Sequence, residues 1–174
     1  KHSRSVQRAV NFLRRAQNPV TGLWQGRWGI NMIYGTTQAG TGLLRAGESP
    51  QSPYLLQAAR TLMSFQNPDG GFGESTLSYL DDDHHGRGAS TPTQSAWVLE
   101  FLCEMGFRNT TTVSKAVNYL LETRSETESW QDGSVVGTGH PGLLYMEYPV
   151  YPQVFPVMAL ANYLKPGSSL TSAW

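Results

Sequence analysis

Apolar residues recur along the chain in two patterns, and these divide it into alternating segments. In the first pattern apolar residues return every three or four positions and leave a charged face, as Val6, Val10 and Leu13 do beside several arginines. In the second, apolar residues cover nearly every face, as in STPTQSAWVLEFLCEMG at 90–106. The pattern predicts amphipathic outer helices that alternate with apolar inner helices.

This alternation occurs three times. The outer segments RAVNFLRRAQNPVTGLW (8–24), QAARTLMSFQNPDGGFG (57–73) and KAVNYLLETRSETESWQDG (115–133) align on an alanine, with a leucine four residues later. Each then passes through a turn to an aromatic residue, and the first two copies carry a glutamine before that turn. We interpret these repeated residues as structural clamps between outer helices: Gln17, Trp24, Gln66, Phe72 and Trp130.

Prolines and caps set the expected ends of the helices. Ser52-Pro53 and Thr91-Pro92 each place a capping residue before a proline that suits the first helical position. Asn-Pro after Gln17 and Gln66 should end the outer helices, whereas Pro156 leaves the start of the last inner helix open. Short-linked consecutive helices pack antiparallel, so the chain is expected to be all-α and to form about three αα-hairpins. Three hairpins curve without closing a ring, which predicts part of a larger α/α toroid.

Charge and composition narrow the possible partners. The formal net charge is zero and there is no basic run, so nothing favours a nucleic-acid partner. Charged residues make up only 15% of the chain, which fits a surface partly covered by further protein or by lipid. The single cysteine, Cys103, excludes an internal disulfide, and its apolar surroundings predict a small core residue.

Four ordered blocks of the chain resemble squalene-hopene cyclases, which are class II triterpene cyclases. The blocks are GRWGINMIYGTTQAG, QNPDGGFGES, GRGASTPTQSAWVLEFL and GTGHPGLLYMEYPVYPQVFPVMAL, and the repeated unit is similar to the QW motif of that family. The resemblance implies that residues 1–165 are the C-terminal part of a cyclase domain built as an (α/α)6 barrel, followed by a tail at 166–174. The remaining N-terminal part of the cyclase is then a required partner.

The resemblance implies a proton-initiated cyclisation of squalene or a similar polyprene, without a cofactor or metal. The general acid of the family lies in an upstream D-x-D-D sequence that this chain lacks, so no catalytic acid is expected here and the chain alone should be inactive. Aromatic faces suit the remaining task, because they stabilise a carbocation without attacking it. The family also implies a monotopic, membrane-associated, intracellular protein that contacts the membrane surface.

Six residues are expected at the substrate cavity because they match cavity positions of the family. Trp28 matches a tryptophan near the first protonation, and Tyr34 matches a tyrosine that helps to hydrogen-bond the acid. Tyr148 and Tyr151 match cavity tyrosines. His140 and Leu144 replace two phenylalanines that support late cations, which makes the product uncertain. Trp97 is expected in the core or the cavity wall without a chemical role.

Several alternatives stay open. LDDDHH at 80–85 lacks the D-x-D-D order and is interpreted as a solvated acidic loop, with a metal site as the other possibility. A cyclase of a shorter prenyl diphosphate would need basic loop residues, for which Arg27 and Arg87 are candidates. A protein-prenyltransferase β-subunit would need an Asp/Cys/His zinc set, which the placement of Cys103 disfavours. The chain could also be an inactive scaffold fragment.

Overall fold

Three antiparallel helical hairpins make up the chain, as seen in a computed structural model that describes residues 3–127 and 129–165. Each hairpin pairs one outer helix with one inner helix. The outer helices are α1 (Arg4–Ala16), α3 (Pro53–Ser64) and α5 (Thr111–Glu122), and the inner helices are α2 (Asn31–Arg45), α4 (Pro92–Glu104) and α6 (Tyr151–Leu164). The helical hairpins predicted from the repeats are therefore confirmed.

The starts of α3 and α4 lie where proline predicts them. Pro53 and Pro92 each occupy the first helical position, and the Thr91 hydroxyl caps α4 by accepting the backbone N–H of Gln94. Ser52 occupies the cap position of α3, but its side chain accepts no capping hydrogen bond. α3 ends at Ser64, before Gln66 is reached. The proline therefore sets the start of α3 even though the side-chain cap is not made.

Helix α6 begins directly at Tyr151 and carries Pro152 in its first turn. Pro156 lies inside the helix and does not delay its start. The Tyr151 N–H reaches the carbonyl of Tyr148 at 2.8 Å, which links the helix to the preceding loop. Because Pro156 has no N–H, the helix lacks one internal hydrogen bond at that point.

The inner helices lie side by side, with α4 between α2 and α6. Eleven of the 13 residues of α4 are buried, including Trp97, Phe101 and Cys103. Burial raises the pKa of the Cys103 thiol to about 11, so it is inert at neutral pH, and its predicted core position is confirmed. The centre of the fold is thus one apolar helix packed on both sides by its neighbours.

The repeated glutamines connect consecutive outer helices. Gln17 donates through Nε2 to the carbonyls of Gly22 (2.7 Å) and Tyr54 (2.9 Å), the second of which lies in α3. Gln66 makes the equivalent pair to Gly70 (2.9 Å) and Thr112 (2.8 Å), in α5. Trp24 and Trp130 donate through Nε1, at 2.8 Å each, to carbonyls near the end of the outer helix that precedes them. Trp24 and Trp130 therefore connect their turns to the preceding outer helix, and Gln17 and Gln66 connect theirs to the following outer helix.

A two-stranded antiparallel sheet, which the all-helical expectation did not include, precedes α6. Strand β1 (Gly137–His140) pairs with β2 (Leu144–Met146), and Thr138 lies opposite Tyr145. The register shifts at Gly139, so that His140 pairs with Leu144. The chain remains mostly helical, and within the described residues this β-hairpin contains the only two strands.

One side of the molecule leaves large apolar side chains in contact with solvent. They lie on α6 and around the β-hairpin: Leu143, Leu144, Val150, Val154, Val157, Met158 and Leu164. Three curved hairpins leave two open edges, and α6 forms one of them. The proposed boundary at residue 165 and the tail at 166–174 lie at or outside the limit of the described residues, so they stay predictions. Within the described part, no helix is long and apolar enough to cross a bilayer.

Candidate functional site: an aromatic cluster on the inner helices

Trp97 is the centre of an aromatic cluster that joins all three inner helices. Its ring packs edge-to-face against Tyr34 of α2, with centroids 5.1 Å apart, and against Phe155 of α6 at 5.4 Å. Tyr151 also contacts it edge-on at 6.1 Å. Edge-to-face packing is the arrangement that ring quadrupoles favour. We use the name aromatic cluster for five residues: Tyr34, Trp97, Tyr148, Tyr151 and Phe155.

Tyr148 extends the aromatic cluster from α6 towards the β-hairpin. Its ring stacks on Tyr151 with centroids 4.5 Å apart and planes 20° from parallel. Burial raises the pKa of the Tyr34 and Tyr151 hydroxyls, and the nearby Tyr148 raises both further. Both hydroxyls are therefore protonated and uncharged at neutral pH, and they can act as hydrogen-bond donors.

Two glycines let the backbone touch the rings of this cluster. A Cβ on Gly29 would lie 2.5 Å from the Tyr34 ring, and a Cβ on Gly137 would lie 2.3 Å from the Tyr148 ring. The same two glycines face each other in an antiparallel β-bridge. Glycine is required at both positions because any side chain would displace an aromatic ring. This explains part of the glycine content of the GRWGINMIYG stretch.

The loop before α2 and the β-hairpin are hydrogen-bonded to each other on both sides of that bridge. The N–H of Thr138 donates to the carbonyl of Trp28 at 3.1 Å, and the N–H of Ile30 donates to Val136 at 2.9 Å. The Trp28 ring is 56% exposed and lies beneath the Arg27 guanidinium, 5.8 Å from its centre. Trp28 thus lies at the edge of the described structure.

His140 and Leu144 lie opposite each other on the β-hairpin, and both are exposed. The Nδ1 atom of His140 is 3.1 Å from the carbonyl oxygen of Pro141. Leu144 is 52% exposed. The structure therefore brings Tyr34, Tyr148 and Tyr151 into one cluster. It places Trp28 on a neighbouring loop, and His140 and Leu144 on the strands of the β-hairpin.

Three aromatic residues near the site were not predicted to take part in it. Trp97 was expected to be only a core or wall residue, and Phe155 was not singled out, although its spacing from Tyr151 on a helix was a usable signal. The hydroxyl of Tyr79 donates to the carbonyls of Gly26 (3.1 Å) and Gly29 (2.9 Å), which fixes the loop that carries Trp28. No motif in the sequence indicates that Tyr79 contact.

The acidic stretch lies in the long connection between α3 and α4, where Asp82–His84 form a short 3-10 turn. His84 is 3.4 Å from Asp81, and His85 is 3.3 Å from Asp82, so each imidazole contacts the carboxylate three positions before it. Among the described residues, no group of three or more His, Cys, Asp or Glu side chains has a geometry suited to a metal ion. Asp81, Asp82 and Asp83 are exposed, as expected of a solvated loop.

A small cavity of about 280 Å³ lies between the Trp130 turn and the start of α6. Its lining includes Asp132, Tyr148 and Gln153, and the Gln153 amide donates to the carbonyl of Trp130. Burial raises the pKa of the Asp132 carboxyl, although its hydrogen bonds to Thr93 favour the ionised form. The cavity borders the aromatic cluster, because Tyr148 belongs to both.

Comparison with known proteins gives a consistent result. The family model described as the squalene-hopene cyclase C-terminal domain matches residues 1–165. The squalene–hopene cyclase of Bradyrhizobium diazoefficiens is 40% identical over 164 residues, which are 94% of this chain and 25% of that protein. The enzyme of the same name from Alicyclobacillus acidocaldarius is 41% identical over 158 residues, 91% of this chain and 25% of that protein.

Among solved structures, the type II terpene cyclase MstE from Scytonema, in complex with its substrate geranylgeranyl dihydroxybenzoate, is similar in fold. The match has a TM-score of 0.59 and 17% sequence identity, and it covers 88% of this chain and 47% of the MstE chain. The predicted fold class, part of an α/α toroid, is thereby confirmed. The chain spans about a quarter of the length of the curated relatives named above. It belongs to the squalene-hopene cyclase family and corresponds to the C-terminal domain of that family.

Proposed function

We propose that this chain forms part of the wall of a cavity in which a class II cyclase folds and cyclises squalene or a similar polyprene. The supporting observation is the aromatic cluster, in which rings from three inner helices meet beside an open apolar face. Aromatic faces attract a carbocation by about 0.5–2 kcal/mol per contact and do not quench it as water would.

The acid that starts the reaction comes from the remaining N-terminal part of the cyclase. Protonation of an alkene needs a strong acid, which clustered carboxyls and hydrogen bonds provide. This chain contains no D-x-D-D sequence. The neutral Tyr34 hydroxyl is suited to donate a hydrogen bond to such an acid group, because burial holds its pKa above the ordinary tyrosine value.

The experiment compares the complete enzyme, preceded by its own N-terminal part, with the 174-residue chain alone. Each is incubated with squalene, and extracts are analysed by gas chromatography with mass detection. We expect polycyclic products from the complete enzyme and none from the chain alone above a heat-killed control. Failure of the complete enzyme to cyclise squalene, with conversion of geranylgeranyl diphosphate instead, would favour a cyclase of a shorter prenyl diphosphate.

A complete protein that converts neither substrate would support the alternative hypothesis that the chain is an inactive scaffold. Activity of the isolated chain would contradict the placement of the acid outside it. The upstream sequence gives a second check, because a D-x-D-D motif is expected there.

A further inference from the structure

Glu74 is the most deeply buried charged side chain among the described residues, at 2% exposed. It follows Phe72 by two positions, in the turn after α3. One carboxylate oxygen, Oε2, accepts the backbone N–H groups of Asn31 (3.0 Å) and Ile33 (2.8 Å). The other, Oε1, accepts the N–H of Gly86 at 3.1 Å. Three backbone donors therefore converge on one carboxylate.

These contacts place Glu74 at the start of α2. The first turn of a helix has N–H groups without partners inside the helix, and a side chain at the cap position normally accepts one. Here the cap position is Ile30, which has no acceptor in its side chain. Glu74 supplies the missing acceptor from a different repeat, and its negative charge also suits the positive end of the helix dipole. A buried carboxylate in turn needs such donors, because its desolvation is costly.

Gln94 holds the backbone on both sides of this contact. Its Oε1 atom accepts the N–H of Glu74 at 3.1 Å. Its Nε2 atom donates to the carbonyls of Ile30 (3.0 Å) and Glu74 (3.2 Å). Since Gln94 is itself fully buried in α4, the start of α2 is connected through Glu74 and Gln94 to the central inner helix.

The same relation recurs one repeat later. Asp132 follows Trp130 by two positions, as Glu74 follows Phe72. Asp132 accepts the backbone N–H of Thr93 at 3.1 Å and its hydroxyl at 2.6 Å, at the start of α4. In both cases an acidic side chain from one turn holds the first turn of the inner helix of the preceding repeat. The recurrence shows that the Glu74 contact belongs to the way consecutive repeats join.

We infer that Glu74 is a positioning residue, whose carboxylate fixes the backbone that presents Trp28 and Tyr34 to the cavity. Ile33 directly precedes Tyr34, and the loop before Asn31 carries Trp28. That loop is also bonded to the β-hairpin through Ile30 and Val136 at 2.9 Å. A displaced start of α2 therefore moves both sides of the Gly29–Gly137 bridge, against which the Tyr34 and Tyr148 rings lie. The catalytic consequence of this inference rests on the proposed function.

The test uses the complete enzyme with Glu74→Gln and Glu74→Asp. Glutamine has a similar size, but its NH₂ group cannot accept a hydrogen bond, so one set of backbone N–H groups loses its acceptor. Aspartate keeps the charge with a shorter reach and should give an intermediate effect. Gln66→Ala is the matched control, because it removes two hydrogen bonds from the same turn on the outer side, away from α2.

Two readouts are measured. Hydrogen exchange followed by mass spectrometry reports the peptide covering 26–36 and the loop at 84–88, and it does not depend on catalysis. Glu74→Gln should speed exchange by about tenfold or more in the segment whose N–H groups face its NH₂ group, which matches the loss of a hydrogen bond to a charged group. Gln66→Ala should leave both segments unchanged. The second readout is the share of incompletely cyclised product. At equal loss of Tm, this share should be higher in Glu74→Gln than in Gln66→Ala. Glu74→Asp should give a share between the two.

Unchanged exchange in 26–36 for both Glu74→Gln and Glu74→Asp would overturn the inference. So would a product shift no larger than in Gln66→Ala, because Glu74 would then act only on stability. If the unaltered enzyme makes no cyclic product from any polyprene, the proposed function fails, and the exchange measurement alone decides whether Glu74 positions the start of α2.

Discussion

His140 and Leu144 are the two cavity candidates whose chemistry differs from the aromatic residues expected there. They form a cross-strand pair on the β-hairpin, so their side chains lie on the same face and can act on one region of a substrate. Neither an imidazole nor an isobutyl group offers a cation the attraction of a phenyl face. A cation that reaches this region would be less stabilised and would lose its proton earlier.

The paired change His140→Phe with Leu144→Phe in the complete enzyme should therefore shift the products towards more completely cyclised rings. Each restored contact is worth about 0.5–2 kcal/mol. One contact thus changes a branching ratio by up to about thirtyfold. Product profiles by gas chromatography with mass detection check this, and Leu143→Phe in the neighbouring turn is the control. Identical profiles before and after the paired change would show that these positions do not steer the cation.

At the level of single residues, the resemblance identified more than periodicity did. It singled out Tyr34, Tyr148 and Tyr151, which lie in one cluster in the structure, and their catalytic roles stay predictions. Periodicity alone could place Trp97 only in a buried helix. Glu74 was missed, because two of its three backbone N–H partners, Asn31 and Ile33, lie more than 40 positions away along the chain, which no local pattern reveals. Its recurrence as Asp132 after Trp130 was the available signal.

Among the elements, α2 is unusual because three glycines interrupt a buried helix. Two of them, Gly40 and Gly42, lie only two positions apart but have opposite surroundings. A Cβ on Gly40 would lie 2.3 Å from the Phe101 ring of α4, whereas a Cβ on Gly42 would meet nothing within 4 Å. The first glycine permits close packing of two inner helices, and the second only adds backbone freedom to the unfolded chain.

Alanine at these two positions should therefore have opposite effects on stability. Gly40→Ala forces Phe101 or the helix to move and should cost about 1–3 kcal/mol. Gly42→Ala should add about 0.5–1 kcal/mol, because alanine is the better helix former. Thermal unfolding of the complete enzyme, followed by circular dichroism, gives the sign of each change in Tm. A loss of Tm in both variants would mean that the rest of the protein packs against Gly42.

Helices were predictable where proline, a capping residue and helical spacing agreed, as at Pro53 and Pro92. The β-hairpin was not predictable in this way. Its strands contain GTGH and LYM, which are too short and too rich in glycine to show alternation. In addition to the pairing of β1 with β2, Gly137 forms a bridge with Gly29, more than 100 positions earlier, which no local pattern indicates.

For the whole molecule, the apolar face on α6 and the β-hairpin is the feature that needs covering. Val154, Val157 and Met158 are exposed and share one face of α6 by their helical spacing. An exposed apolar face of this kind is costly in water and marks a surface that meets protein or lipid. The relatives named above are about four times as long as the part matched here, and in those proteins further chain is available to cover such a face. The low share of charged residues, 15%, agrees with a protein that exposes little of itself to water.

We also expect the complete protein to be bound to membranes as a monotopic protein, as the resemblance implies for a squalene-like substrate. High-speed centrifugation of a cell lysate should place it in the pellet, and detergent should release it. The control is a wash with 1 M salt, which shortens the screening length to about 3 Å, so that a protein held only by charge would leave the membrane. Recovery in the supernatant without detergent would count against this prediction.

Four side-chain links between consecutive repeats leave one repeat waiting for the next, and this has a consequence for synthesis on the ribosome. Gln17 and Gln66 reach carbonyls 37 and 46 positions ahead, and the starts of α2 and α4 wait for acids 43 and 39 positions ahead. A newly made hairpin is therefore incomplete until the following turn has emerged. These links therefore close only after the next repeat has been made, and the Gly29–Gly137 bridge closes only when the third repeat has followed the first.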